Sequence, residues 1–390
     1  MGLFYPSSKS KDDTYGRYLA PLHPAEEKLA KDSTIAITGR RFYVDERGNG
    51  TGQAEDVQLA KEELSNKLGS NWIFYRTWYR KPSDSSANSR TGEGIDVMLC
   101  HGLYEHGGRW APHVDLLLND GFRIIVPDLP THGRSSGLHV LIKDESHLPK
   151  AIEAVMKDLV VVSKEKGEPR RRIVICGHSL GGWTVITNAI LFPRSAAVPT
   201  DPSAPHLIGI YTLAPYLGAN PEAVPNIVVQ LVGRGLCKVL PSFQMIKLVI
   251  GLETDQPEVT QEFKADPLAY HSAIRIASGV SLLSMASFVL PDDNAAKIMP
   301  PVRIVHGKDD RVCAYEGSVE FMKKMKEAGK KKGEAGWSED KEVDVWEGFQ
   351  HVMHPYGFGG LDEKQEAMRQ RLLHDMRDWI VKQAQVTSNV

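Results

Sequence analysis

The chain has 390 residues, 42% of them hydrophobic and 25% charged, and a formal net charge of −2. These values fit a globular protein with a large core. They speak against nucleic acid as a partner, because phosphate recognition needs an excess of Lys and Arg on one face.

Residues 1–34 are polar, carry Pro6, Pro21 and Pro24, and read as an N-terminal extension, an arm or a loosely packed segment. They lack the apolar stretch of a secretory signal, and Pro6 breaks the myristoylation pattern. No apolar run anywhere approaches the roughly 18 residues of a membrane span. Two strands are predicted at "IAITGRRFYV" and "NWIFYRTWYR", with a charged helix, "AEDVQLAKEELSNKL", between them. "KPSDSSANSRTGEG" is a loop by composition. Beyond it, apolar runs ("IDVMLC", "FRIIVP", "RRIVIC", "LIGIYTL", "VRIVH") alternate with amphipathic stretches ("RWAPHVDLLLND", "LPKAIEAVMKDLVVVSKEKG", "GGWTVITNAILF", "EGSVEFMKKMKEAG"). That alternation predicts an α/β fold: a mostly parallel central sheet with helices on both faces. From about Ala219 to Lys297 no strand is evident. "NIVVQLVGRGLCKVLPSFQMIKLVIGL" and "SAIRIASGVSLLSMASFVL" read as apolar helices. The expected organisation is an extension over 1–34, a core over 35–218 and 298–390, and a helical cap over 219–297. The cap's apolar side either packs into a core or lines a substrate tunnel. Contact with a lipid surface is a third option, and burial is favoured over it. "KEAGKKKGEAGWSEDKE" is predicted to be a solvated loop.

There are four cysteines. Cys100 and Cys176 close apolar runs and read as small buried hydrophobes. No disulfide framework or zinc pattern is formed, and no cofactor or metal is expected. The expected setting is reducing and cytoplasmic, with peripheral association to membranes or lipid droplets as an option.

The pattern G-x-S-x-G occurs twice, around Ser135 ("GRSSG") and around Ser179 ("GHSLG"). A nucleophile elbow needs a strand, a sharp turn and then a helix, with glycines that allow close packing. Ser179 meets this requirement, between "RRIVIC" and "GGWTVITNAILF". Ser135 does not: its upstream strand ends before "DLPTHG", and no helix starts after it. A serine hydroxyl needs a base, and in this architecture the order along the chain is Ser, acid, His, each after a strand. "VRIVHGKDDRVC" offers Asp309 and Asp310, and the G-x-x-D spacing selects Asp310. "VDVWEGFQHVMHPYG" offers His351 and His354, and His351 lies nearer the strand end. Two backbone N–H groups, of Leu180 after the nucleophile and of Leu103 in the loop after "IDVMLC", are the expected donors to a developing oxyanion.

With these residues in place the chain resembles the monoacylglycerol lipase group of α/β-hydrolases, from roughly Asn71 onward. "HGLYEHGGRW" resembles an HG-x-x-EH-x-x-R block and "DLPTHGRSSG" a D-x-x-GHG-x-S-x-G block. "GHSLGG", "GKDDRVC" and "GFQHVMH" resemble GHSMGG, G-x-x-D-R-x-C and G-x-x-HV-x-H. "GANPE" and "KADPLAYHSAIRIASGVSLL" are similar to the group's cap. The chain departs from the group at Tyr104 and Thr131, where Gly is usual, and at Phe263, where some members carry Tyr. The resemblance implies Tyr104, Glu105, His178 and Phe263 as pocket residues, and a serine esterase acting on lipophilic esters through an acyl-enzyme. Alternatives are an acyltransferase or lactone hydrolase of secondary metabolism, and a non-catalytic ligand-binding protein on the same scaffold. Epoxide and haloalkane hydrolysis are disfavoured, since these need a carboxylate where this chain has Ser179.

Overall fold

A computed structural model of the chain describes Arg17 and residues 20–57, 71–81, 91–195, 197–221, 224–246, 252–332, 340–352 and 362–386. The main strands are β1 (Ile35–Val44), β2 (Gly50–Val57), β3 (Asn71–Arg80), β4 (Ile95–Cys100), β5 (Arg123–Pro127), β6 (Arg172–His178) and β7 (His206–Leu213). Two short strands follow, β8 (Gln244–Ile246) and β9 (Ile274–Arg275), then β10 (Val302–Gly307) and β11 (Lys341–Trp346). The helices are α1 (Pro24–Ala30), α2 (Ala111–Asn119), α3 (His147–Glu165), α4 (Leu180–Leu191), α5 (Ile227–Cys237), α6 (Pro257–Ala265), α7 (Ile276–Val289), α8 (Asp292–Ala295), α9 (Tyr315–Lys332) and α10 (Glu363–Val386).

Among the described residues, nine strands form one sheet in the order β11-β10-β7-β6-β4-β5-β3-β1-β2. The first six in that order run parallel, and β3, β1 and β2 add antiparallel pairs at the other edge. The central strands read as continuous apolar runs because both faces are covered. In β4, Met98 and Cys100 face the core shared with α3, α4 and α9, while Ile95, Val97 and Leu99 face that of α2 and α10. β5 and β6 lie on opposite sides of β4, so the chain leaves the centre of the sheet in both directions. Such a switch point opens a crevice at the C-terminal strand ends.

Three expectations need correction. Residues 54–57, read as the start of a helix, end β2; residues 58–68 lie outside the described residues. β2 is a polar edge strand with only Val57 buried, so no alternation of apolar residues marks it. The segment from 219 to 297 is not free of strands: β8 and β9 pair antiparallel within it. The predicted helix "EGSVEFMKKMKEAG" runs on through residues 330–332, which were read as charged loop.

The segment from 219 to 297 is also unequal in burial. α7 buries Ile276, Ala277, Met285 and Val289, whereas no residue of α5 is buried. Ile227 and Val228 are each 65% exposed and Leu231 62%, so burial of this apolar face, the favoured expectation, is not met.

The end of the N-terminal extension is docked rather than loose. Ala25 and Leu29 of α1 join the core with α2 and α10. Arg17 donates to the carbonyls of Gly133, Ser135 and Gly137, and Arg134 donates back to those of Ala20 and Pro21. The buried Glu26 carboxylate lies 2.9 Å from Arg76 Nε, off the hydrogen-bond axis, and Arg76 Nη1 reaches Asp128 at 3.2 Å. His23 Nε2 lies 3.1 Å from Glu262 on α6, which ties the extension to the segment above the sheet.

Candidate active site

β6 ends at His178 and α4 begins at Leu180, which leaves Ser179 alone at the bend. Its backbone sits at φ 53°, ψ −115°, a conformation that L-residues avoid and that marks a constrained functional turn. The turn is fixed by Ser179 N–H donating to Leu213 O and by the amides of Trp183 and Tyr216 donating to Ser179 O, each at 3.0 Å. The bend is possible because the backbones touch. A Cβ at Gly177 would collide with the Gly181 carbonyl, and one at Gly181 with the carbonyls of Cys100 and His101.

The three expected side chains converge at the C-terminal edge of the sheet. His351 Nε2 lies 3.0 Å from Ser179 Oγ, and His351 Nδ1 donates to Asp310 Oδ2 at 2.8 Å. Asp310 Oδ1 accepts from the amides of Val312 and Cys313, both at 2.8 Å. His306 donates to Asp310 Oδ2 at 3.1 Å and is itself fixed by Ser318 at 2.8 Å. All of these side chains are buried.

Burial opposes the charge of each group, but their mutual attraction wins. The His351 imidazole and His306 hold the Asp310 carboxyl below the usual carboxylate range, although burial alone would raise it. Burial would lower the pKa of His351, yet the Asp310 carboxylate raises it well above the ordinary histidine value. Asp310, Cys313 and His351 place one ligand atom each within 4.8 Å of one another. The Asp310 oxygens are already engaged by two amides and two imidazoles, and burial raises the Cys313 pKa, so this cluster is organised by hydrogen bonds rather than as a metal cage.

The loop after β4 runs beside the serine. A Cβ at Gly102 would lie 3.4 Å from Ser179 Cβ, which brings the following residue, Leu103, alongside the nucleophile position. Leu180 begins α4 on the other side. Glu105 Oε2 accepts from Gly102 N–H at 3.0 Å and steadies the loop. His101 donates from Nδ1 to Gly102 O at 2.8 Å and accepts the Leu129 amide on Nε2 at 2.9 Å. Burial pulls its pKa down to about 4, so it stays neutral.

Ser179 and His351 open onto a cavity of about 600 Å³. Its wall carries apolar side chains, among them Val229, Met245, Ile276, Val280 and Leu283. Tyr104, Glu105, Arg109, Glu253 and Thr254 add polar groups to the lining, and Phe263 and His178 belong to it as well. All four expected pocket residues, Tyr104, Glu105, His178 and Phe263, thus line it.

The family model described as "Serine aminopeptidase, S33" (Hydrolase_4) matches residues 95–354, well over half of the chain. The chain belongs to this family of α/β-hydrolases. Among curated relatives, the monoglyceride lipase of Rattus norvegicus is 24% identical over 311 residues, 79% of this chain and 86% of its own length. The monoacylglycerol lipase of Mycolicibacterium smegmatis is 27% identical over 285 residues, 73% and 87% of the two chains. Two solved structures share the fold. A soluble variant of the Saccharomyces cerevisiae monoglyceride lipase superposes with a TM-score of 0.61 at 19% identity, covering 80% of this chain and 92% of that one. The monoacylglycerol lipase of Paleococcus ferrophilus gives 0.56 at 23% identity, covering 74% and 94%.

Within this hydrolase scaffold, Ser135 has a different place from Ser179. Its Oγ accepts the Phe74 amide at 2.9 Å and donates to Asp128 O at 2.5 Å, so it is bound on both sides and fully buried. His306 was not foreseen as part of the site. Its only sequence signal is a polar residue inside the apolar run "VRIVH". His354 lies outside the described residues.

Proposed function

We propose that this serine hydrolase cleaves lipophilic carboxylic esters with Ser179 as nucleophile. Ser179 Oγ attacks the ester carbonyl while His351 Nε2 takes its proton and later returns it to the departing alcohol. Asp310 holds the imidazole with Nδ1–H toward itself and offsets the charge that His351 gains. The N–H groups of Leu103 and Leu180 stabilise the tetrahedral oxyanion, and water then releases the acid from the acyl-enzyme. The apolar lining of the cavity takes the acyl chain, with residues 219–297 as its cap. The observation that carries this reading is the unbroken chain from Ser179 through His351 to Asp310 at the wall of an apolar cavity. The resemblance to monoglyceride lipases places monoacylglycerols first among substrates to try. A fluorophosphonate should label the wild type and fail to label Ser179→Ala, whose ester turnover should also vanish. Labelling that persists in the variant overturns the assignment.

A second reading concerns α5. Ile227, Val228, Leu231 and Val232 are exposed on a helix that carries Arg234 and no acidic residue. An apolar face of this kind binds a lipid interface, and Val229, Gln230 and Gly233 of the same helix line the cavity. We infer that α5 rests on lipid and passes substrate inward. Liposome co-sedimentation should fall in Leu231→Glu/Val232→Glu; undiminished sedimentation removes the reading. Among the described residues, no helix is long and apolar enough to cross a membrane.

A further inference from the structure

Tyr104 stands at a position that favours glycine. Its φ is 69°, in the left-handed region where a bulky residue is an outlier. Such a conformation costs on the order of 1–3 kcal/mol and persists when the surroundings hold it in place. Here they do. The Tyr104 carbonyl accepts the Tyr270 amide at 2.8 Å, and the two phenol rings stack with centroids 5.9 Å apart and planes 14° from parallel. The ring lines the same cavity as Ser179, one residue after Leu103.

The polar tip of this side chain is not used by the fold. Tyr270, its stacking partner, donates its hydroxyl to Ala273 O at 2.7 Å, whereas the Tyr104 hydroxyl has no hydrogen-bond partner among the described residues. Burial and the nearby Glu253 carboxylate hold the Tyr104 phenol well above its ordinary range, so it remains a donor. Glu253 lines the same cavity as Tyr104 and sits beside the catalytic histidine. Its carbonyl accepts the amide of Val352, the residue after His351, at 3.0 Å. His351 hands its proton to the departing alcohol, so groups beside it face that alcohol rather than the acyl chain.

We propose that Tyr104 is a specificity-determining residue whose phenol donates a hydrogen bond to a free hydroxyl on the alcohol half of the ester. This rests on the ester-hydrolase reading and deepens it. The preferred alcohol carries a hydroxyl one or two carbons from the ester oxygen. An isosteric alcohol with a methyl group in that place covers the phenol without giving it an acceptor, which is where discrimination arises.

The test compares 2-hydroxyethyl octanoate with propyl octanoate, which share the acyl chain and differ by hydroxyl against methyl. The wild type should show the higher kcat/KM for the hydroxyethyl ester. In Tyr104→Phe that ratio should fall about tenfold, the effect of losing one well-formed hydrogen bond. Tyr104→Gly, in which the backbone keeps its positive φ without strain, should lose the same preference. A wild type indifferent to the two esters, or a Tyr104→Phe variant with the wild-type ratio, overturns the assignment while leaving hydrolysis intact. A wild type that turns over neither ester and resists fluorophosphonate removes the hydrolase reading and this one with it.

Discussion

The segments 133–137 and 177–181 share one five-residue pattern and put it to opposite uses. Around Ser179 the glycines let three backbones meet, and the serine is lifted onto the cavity wall with its hydroxyl facing His351. Around Ser135 the glycines serve a tight loop, with Gly133 at φ 48° and Gly137 at φ 104°. There the serine is turned inward and holds Phe74 to Asp128. Asp128 in turn accepts the amides of Gly107 and Arg134, both at 2.7 Å, so the segment 133–137 braces the loop that carries Leu103. The pattern alone therefore does not specify a nucleophile. What precedes and follows it does: a strand running directly into the turn and a helix leaving it.

The contrast can be broken most sharply at the two serines. Ser179→Ala should lose ester hydrolysis by on the order of 10⁴-fold or more, measured as kcat, with little change in melting temperature. Asp310→Asn should come next, at roughly 10⁴-fold in kcat, because the imidazole loses the partner that fixes its tautomer. The same variant moves the pH profile. Asp310 raises the His351 pKa, and only the unprotonated imidazole can take the Ser179 proton. Wild-type kcat/KM should therefore fall as pH drops through a value above about 6.5, the unperturbed histidine pKa. In Asp310→Asn that limb should shift to lower pH. Ser135→Ala gives the smallest catalytic effect and the complementary result. It should keep fluorophosphonate labelling and lose about 1–3 kcal/mol of stability in denaturant unfolding, since the Phe74 amide loses its buried acceptor.

Much of this arrangement is legible in the sequence, for physical reasons. Central strands buried on both faces must be apolar throughout, so "IDVMLC" and "RRIVIC" stand out. Ser179, Asp310 and His351 follow such strands at fixed offsets, which made them readable although 131 and 41 residues separate them in turn. β2 was not readable, because an exposed edge strand has no apolar face to alternate. The bareness of α5 was not readable either: an apolar helix face looks the same in sequence whether protein or lipid covers it. His306 escaped notice because it acts through buried polar contacts, which leave no hydrophobic period, and α1 because its 7 residues are too few to show one.

The last of these has a practical side. The span matched by the family model begins at residue 95, yet Arg76 sits wholly buried between Glu26 on α1 and Asp128. Shortening the chain by its first thirty residues strips that guanidinium of one of its two counter-charges, a loss on the order of 3–5 kcal/mol. It also uncovers the pocket vacated by Ala25 and Leu29. A chain begun after α1 should therefore unfold at lower denaturant than the full chain and aggregate on expression, and recovery of folded material calls for α1 to be retained.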